Sequence, residues 1–110
     1  MENKAKLLDC TLRDGGYLND WNFGYDTIMY VFNNLVNAQI DYIEVGFLDD
    51  RCISDMNRTI QPDTCSYNKL FEGCNKGRSK VLAMIDYGTC ALENIQNKED
   101  NFIDTIRGYF

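Results

Sequence analysis

Apolar and polar positions fall along this chain in blocks of differing period. Residues 6–12 form a short apolar-rich run closed by Arg13-Asp14-Gly15-Gly16, and its length and glycine stop predict a first strand. From Asp26 or Thr27, either suited to an N-cap, Ile28, Val31, Phe32, Leu35 and Val36 recur at helical spacing, predicting a helix with one apolar face that ends near Asn37. Residues 41–48, rich in β-branched and aromatic side chains, close on Asp49-Asp50 and predict a second strand. The stretch 51–78 contains Pro62 and Gly73 and is read as irregular, with at most a short helix over 67–71. Residues 80–87 predict a third strand, 91–96 a helical turn, and 102–110 a fourth strand.

Buried strands alternating with helical or irregular crossovers predict an α/β fold with parallel strands, whose functional residues gather at the strands' C-terminal edge. Both a doubly wound sheet and part of a β/α barrel fit that order. Strand alternation places Asp9, Thr11 and Arg13 on one face and Leu8, Cys10 and Leu12 on the other. In the second strand Tyr42, Glu44 and Gly46 oppose Ile43, Val45 and Phe47. A polar face sandwiched against helices costs several kcal/mol, of order 2–7, per unpaired group, whereas in a barrel it points into the lumen. The barrel is favoured.

Composition narrows the function classes. The chain has 110 residues, 45% of them hydrophobic, enough for one domain with a core. A net charge of −6 repels nucleic acid and anionic membranes, and no apolar run reaches the length of a membrane span. Five cysteines, at 10, 52, 65, 74 and 90, include no Cys-x-x-Cys pair, which predicts reduced thiols and a cytoplasmic setting. There is no histidine, so catalysis has to rest on carboxylates, Arg, Lys, Cys or Tyr.

Glu44 is the most informative single position, because an acid inside an apolar strand needs a partner. Arg13, on the neighbouring strand about 4.8 Å away, is the expected one, as a buried register pair or as a pair that also aims the guanidinium at a substrate oxyanion. Asp14 precedes two glycines that let the backbone turn closely around a ligand, although an Asp-Gly step also serves turns. Tyr17, Trp21, Phe23 and Tyr25 line a pocket or cover a barrel end. Asp49-Asp50 and Asp86-Tyr87 lie at strand ends. Residues 73–79 only faintly suggest a phosphate loop, with Arg78 where Lys is required.

Leu8-Asp-Cys-Thr-Leu-Arg-Asp-Gly-Gly16, Tyr42-Ile-Glu-Val-Gly-Phe47 and Ala83-Met-Ile-Asp-Tyr-Gly88 together resemble the metal-dependent aldolase, lyase and synthase superfamily, which includes 4-hydroxy-2-oxovalerate aldolase, hydroxymethylglutaryl-CoA lyase and pyruvate carboxyltransferase domains. The resemblance covers essentially the whole chain. It implies a TIM barrel of which residues 1–110 form the N-terminal half, the first three to four β/α units. It implies Asp14 as ligand of a divalent metal, Mg2+ or Mn2+, Arg13 as the enolate-stabilising cation, and Glu44 as the acid that holds Arg13. Two further metal ligands in that superfamily are histidines on a later strand, expected beyond Phe110. Tyr17 stands where the hydroxyoxovalerate aldolases carry a histidine base, and a phenol is a much weaker base near neutral pH. Gln39 stands where related sequences usually end the first helix with a left-handed glycine, at a cost on the order of 1 kcal/mol if Gln adopts that conformation.

The resemblance therefore implies carbon–carbon bond cleavage or formation on a small 2-oxoacid through a metal-stabilised enolate, with this chain contributing part of the site. The alternative is a non-catalytic half-barrel that forms a homo-oligomer or pairs with a complementary chain, because a four-strand piece has two open edges. A third reading sets Asp14 with Asp49, Asp86 or Tyr17 around a metal.

Overall fold

The computed structural model describes residues 5–86 and 101–109. They run β1 (Leu8–Asp9), α1 (Thr11–Asp14), a 3-10 turn (Gly15–Leu18), α2 (Tyr25–Asn37), β2 (Tyr42–Leu48), β3 (Ile60–Gln61), α3 (Thr64–Leu70), β4 (Lys80–Asp86) and β5 (Thr105–Tyr109). Every strand pairing is parallel. The sheet order is β1-β2-β4-β5, with β3 joining β2 at Phe47 and Leu48, beyond where β1 stops. The helical turn expected over 91–96, Tyr87 and Cys90 lie outside the described residues, as does the side chain of Asp86.

The first strand is much shorter than its apolar run predicts. The Asp9 carboxylate accepts the Thr11 amide at 2.9 Å and the Thr11 hydroxyl at 3.0 Å, a local competitor to the strand ladder. The amides of Arg13 and Asp14 then both turn back to the Cys10 carbonyl. Thr11 and Arg13 consequently do not alternate on a strand face with Asp9. Arg13 leaves a helical turn, and Leu12 is fully buried in the core.

Helix α2 forms where its apolar period predicts but starts at a different cap. Gly24, with φ +85°, is the N-cap, the Asn57 side chain accepts the Tyr25 amide at 2.9 Å, and Asp26 sits in the first turn. Its other end is a Schellman closure: Ile40 N–H donates to Leu35 O and Gln39 N–H to Val36 O, with Gln39 at φ +61°. The left-handed conformation expected at Gln39 is present. Gln39→Gly should therefore raise stability by about 0.5–1 kcal/mol, the left-handed penalty less the entropy of the extra glycine. A thermal melt checks it, and a lowered melting temperature would contradict it.

One sheet face carries the core. Ile43, Val81, Ala83 and Ile85 pack with Ile28 and Phe32 of α2 and Tyr67 and Leu70 of α3 in a single buried cluster, and the Phe32 and Phe71 rings lie 4.9 Å apart. Both longer helices thus lie on the same face. The stretch 51–78 is more ordered than its composition predicts, since α3 spans Thr64–Leu70, capped by the Asp63 carboxylate on Ser66 N–H. The described segment 73–79 leads into β4, not into a helix whose amides a phosphate loop would use.

Strand β2 carries a bulge at Val45, where its pairing with β4 jumps from Glu44↔Leu82 to Gly46↔Ala83. One extra residue reverses the side-chain alternation. Phe47, expected opposite Glu44, therefore pairs with Met84 and shares the face of Glu44 and Leu82. Gly46 turns to the helical face, against Thr59 and Tyr67.

Candidate functional site

The face opposite the helices gathers the chemistry. Glu44 is fully buried, and its carboxylate is held by two arginines from different elements. Arg13 Nε donates to Oε1 at 2.6 Å. Arg107 of β5 donates from Nε to Oε2 at 2.7 Å and from Nη2 to Oε1 at 2.9 Å. The register explains the meeting, since Arg107 pairs with Met84 and so shares a face with Leu82 and Glu44. The Arg13–Glu44 partnership expected from the sequence is present, although Arg13 reaches it from a helical turn. Arg107 was not among the expected site residues. A charged residue inside a strand, the signal that singled out Glu44, marks Arg107 equally.

All three groups stay ionised at neutral pH. Burial pushes the Glu44 carboxyl up, but the hydrogen bonds and charges of Arg107 and Arg13 outweigh it and hold the group below its ordinary value. Burial pulls Arg13 down, and its contact with Glu44 more than offsets that. Arg107 is raised by its hydrogen bonds to Glu44. Glu44 alone does not balance the two arginines, and Asp14, 3.4 Å from Arg13 Nη1, brings a second carboxylate to the cluster.

Above the cluster stands an aromatic wall. Arg13 lies over the Phe47 ring at 5.7 Å, Phe47 meets Trp21 edge-on at 5.4 Å, and Trp21 meets Tyr17 at 4.8 Å. Trp21 is fixed by donating from Nε1 to the Arg13 carbonyl at 2.7 Å. A Cβ on Gly16 would fall inside the Trp21 indole. The close approach that the Gly15-Gly16 pair permits is thus to Trp21. Tyr17, Trp21, Phe47, Leu48, Asp49 and Arg51 line most of a cavity of about 220 Å3 at the C-terminal end of β2. That is below the roughly 300–1,000 Å3 of drug-sized sites. Of the four expected aromatics, Tyr17 and Trp21 line it, whereas Phe23 packs on the core.

Asp14, the expected metal ligand, is 65% exposed and lies 3.4 Å from Arg13 Nη1. Asp49 is engaged by Arg51, which donates to it from Nε at 2.8 Å and Nη2 at 2.7 Å. Among the described residues, no three His, Cys, Asp or Glu side chains converge as a metal site would need. A lone exposed carboxylate beside a guanidinium does not fit a divalent cation by itself. Among the described residues, Cys10, Cys52, Cys65 and Cys74 form no disulfide. Among the described residues no helix is long and apolar enough to cross a membrane.

No family model, curated protein or solved structure matches this chain.

Proposed function

We propose that the chain acts in carbon–carbon bond cleavage or formation on a small 2-oxoacid through an enolate, as part of an aldolase-like β/α barrel whose N-terminal half it represents. The observation that carries this reading is Arg13 fixed on the buried Glu44 at 2.6 Å and lying over the ring of Phe47, which with Tyr17 and Trp21 walls a small cavity. Parallel strands with both longer helices on one face are the arrangement of a barrel wall. Arg13 donates to the oxygen on which the enolate charge develops, and Glu44 prevents the guanidinium from drifting, so the donor is in place before the charge appears. Tyr17 lines the cavity as the candidate proton carrier. A divalent cation, Mg2+ or Mn2+, belongs to this reading through the superfamily resemblance. Of its expected ligands the described residues offer Asp14 alone, so no step is assigned to it.

The test is exchange of pyruvate C3 hydrogens into deuterated water, followed by NMR with and without Mg2+ or Mn2+. Because the chain contributes only part of the site, exchange is measured on the barrel that carries it: that barrel should accelerate exchange, and Arg13→Lys within it should lose about 100-fold, the scale of one oxyanion donor. No acceleration by the unsubstituted barrel overturns the reading.

A second reading, a non-catalytic half-barrel that pairs with a copy of itself or a complementary chain, is supported by the place of β1 and β5 at the two ends of the sheet order. Light scattering distinguishes it: pairing with itself requires a dimer or larger, and a monomer of 12.7 kDa counts against that form of it.

A further inference from the structure

Glu44 cannot balance the two arginines it holds. Both of its oxygens are occupied, Oε1 by Arg13 Nε and Arg107 Nη2 and Oε2 by Arg107 Nε. The two guanidiniums therefore lie side by side on one carboxylate, and the second acid of the cluster, Asp14, stands on the Arg13 side. Among the described residues neither Arg13 Nη2 nor Arg107 Nη1 has an acceptor. The arginines differ in surroundings. Arg13 is only 13% exposed, lies over Phe47, and has Asp14 at 3.4 Å as a second acid. Arg107 is 42% exposed and, among the described residues, has Glu44 as its sole acidic partner.

From this we infer that Arg107 is a substrate-binding residue, receiving the C1 carboxylate of a 2-oxoacid while the adjacent Arg13 faces its C2 oxygen. The inference rests on the proposed enolate reading and adds to it the group that recognises the acid. A carboxylate carries a full charge and matches a guanidinium edge in two parallel hydrogen bonds, so it goes to the arginine that, among the described residues, has open donors and no second acid. The 2-oxo oxygen, neutral in the ground state, belongs beside the enclosed Arg13, where charge develops only during reaction. Carboxyl and oxo oxygens on adjacent carbons are near neighbours, as are the two guanidiniums on one Glu44 oxygen.

The probe is oxalate, a mimic of the pyruvate enolate, titrated into the full chain in excess EDTA. The readout is the fluorescence of Trp21, the single tryptophan, which is bonded to the Arg13 carbonyl. Oxalate and pyruvate should bind saturably, whereas acetate and methyl pyruvate, each lacking one half of the recognised unit, bind at least about tenfold more weakly. Arg107→Gln should weaken oxalate by at least about tenfold, with Arg78→Gln, which lies at the opposite end of the sheet on Asp41, unchanged. If circular dichroism shows Arg107→Gln unfolded, Arg107→Lys decides, since it keeps the charge but not the paired donors and should weaken oxalate at least about threefold. Oxalate affinity unchanged in the folded Arg107 variant overturns the assignment, as does inorganic phosphate binding as tightly as oxalate. Deuterium exchange failing while EDTA-resistant oxalate binding persists would refute the enolate chemistry alone. Exchange succeeding while Arg107→Gln binds normally would refute the role of Arg107 alone.

Discussion

Glu44→Gln should lower the unfolding free energy by about 3–5 kcal/mol, the range for removing one partner of a buried charge cluster. The amide keeps the shape but not the charge, and it leaves Arg13 and Arg107 facing each other on a neutral group. Against a total of about 5–15 kcal/mol for an ordinary domain, that is a large fraction, and urea denaturation at pH 7 measures it. The pH dependence supplies a second check. Glu44 is held below its ordinary value of 4.5 in the folded chain, so its contribution is fully present above about 4.5 and is lost as pH falls through the lower folded value. The gap between the unsubstituted chain and Glu44→Gln should then close in acid, because a protonated Glu44 resembles glutamine. Asp41, lowered chiefly by the Leu7 amide, and Asp49, lowered chiefly by Arg51, titrate in the same direction, but they are common to both proteins and cancel in the difference. A gap as wide in acid as at pH 7 would show that the carboxylate charge is not what the arginines bind.

Where the sequence was legible, one physical signal dominated. The period of Ile28, Phe32 and Leu35 located α2, and the apolar stretches at 42–48 and 80–86 located β2 and β4, because burial against a core selects those patterns. The lone acid in an apolar strand pointed to Glu44 and from there to Arg13. What escaped was decided by local hydrogen bonds or by pairing at a distance. Asp9 diverts the chain into α1 by capturing Thr11, which apolar content does not encode. β3 is two residues long, too short to carry a period. Arg107 was visible as a charge within the fourth strand, but its link to Glu44 spans 63 residues and depends on the β4–β5 register. The Val45 bulge, which moves Phe47 to the Arg13 face, had a signal in Gly46, since glycine inside a strand marks a bulge or a close approach.

Gly46 carries the second large effect. Its Cβ position is taken by the Thr59 carbonyl oxygen and, at 2.5 Å, by the Tyr67 hydroxyl. That hydroxyl is buried and donates toward Phe47 O at 2.6 Å and Thr59 O at 3.0 Å, joining α3 to the ends of β2 and β3. Gly46→Ala should cost about 3 kcal/mol, the upper part of the range for overpacking, because backbone has to move where the nearest atom is a carbonyl that also accepts the Phe47 amide at 3.0 Å. Tyr67→Phe alone should cost about 0.5–1.5 kcal/mol, the net worth of one hydrogen bond, since Thr59 O keeps the Phe47 amide as donor. The double variant separates the two obstacles. If the hydroxyl were the main one, Tyr67→Phe would restore most of the loss in Gly46→Ala. The carbonyl is nearer and belongs to the strand-like segment that pairs with β2, so little rescue is expected, and urea denaturation of the four proteins in one cycle measures it. Full rescue would place the constraint on the α3 side chain. The expected near-additive loss places it on the backbone that sets β3 against the bulge, and so on the geometry that turns Phe47 toward Arg13.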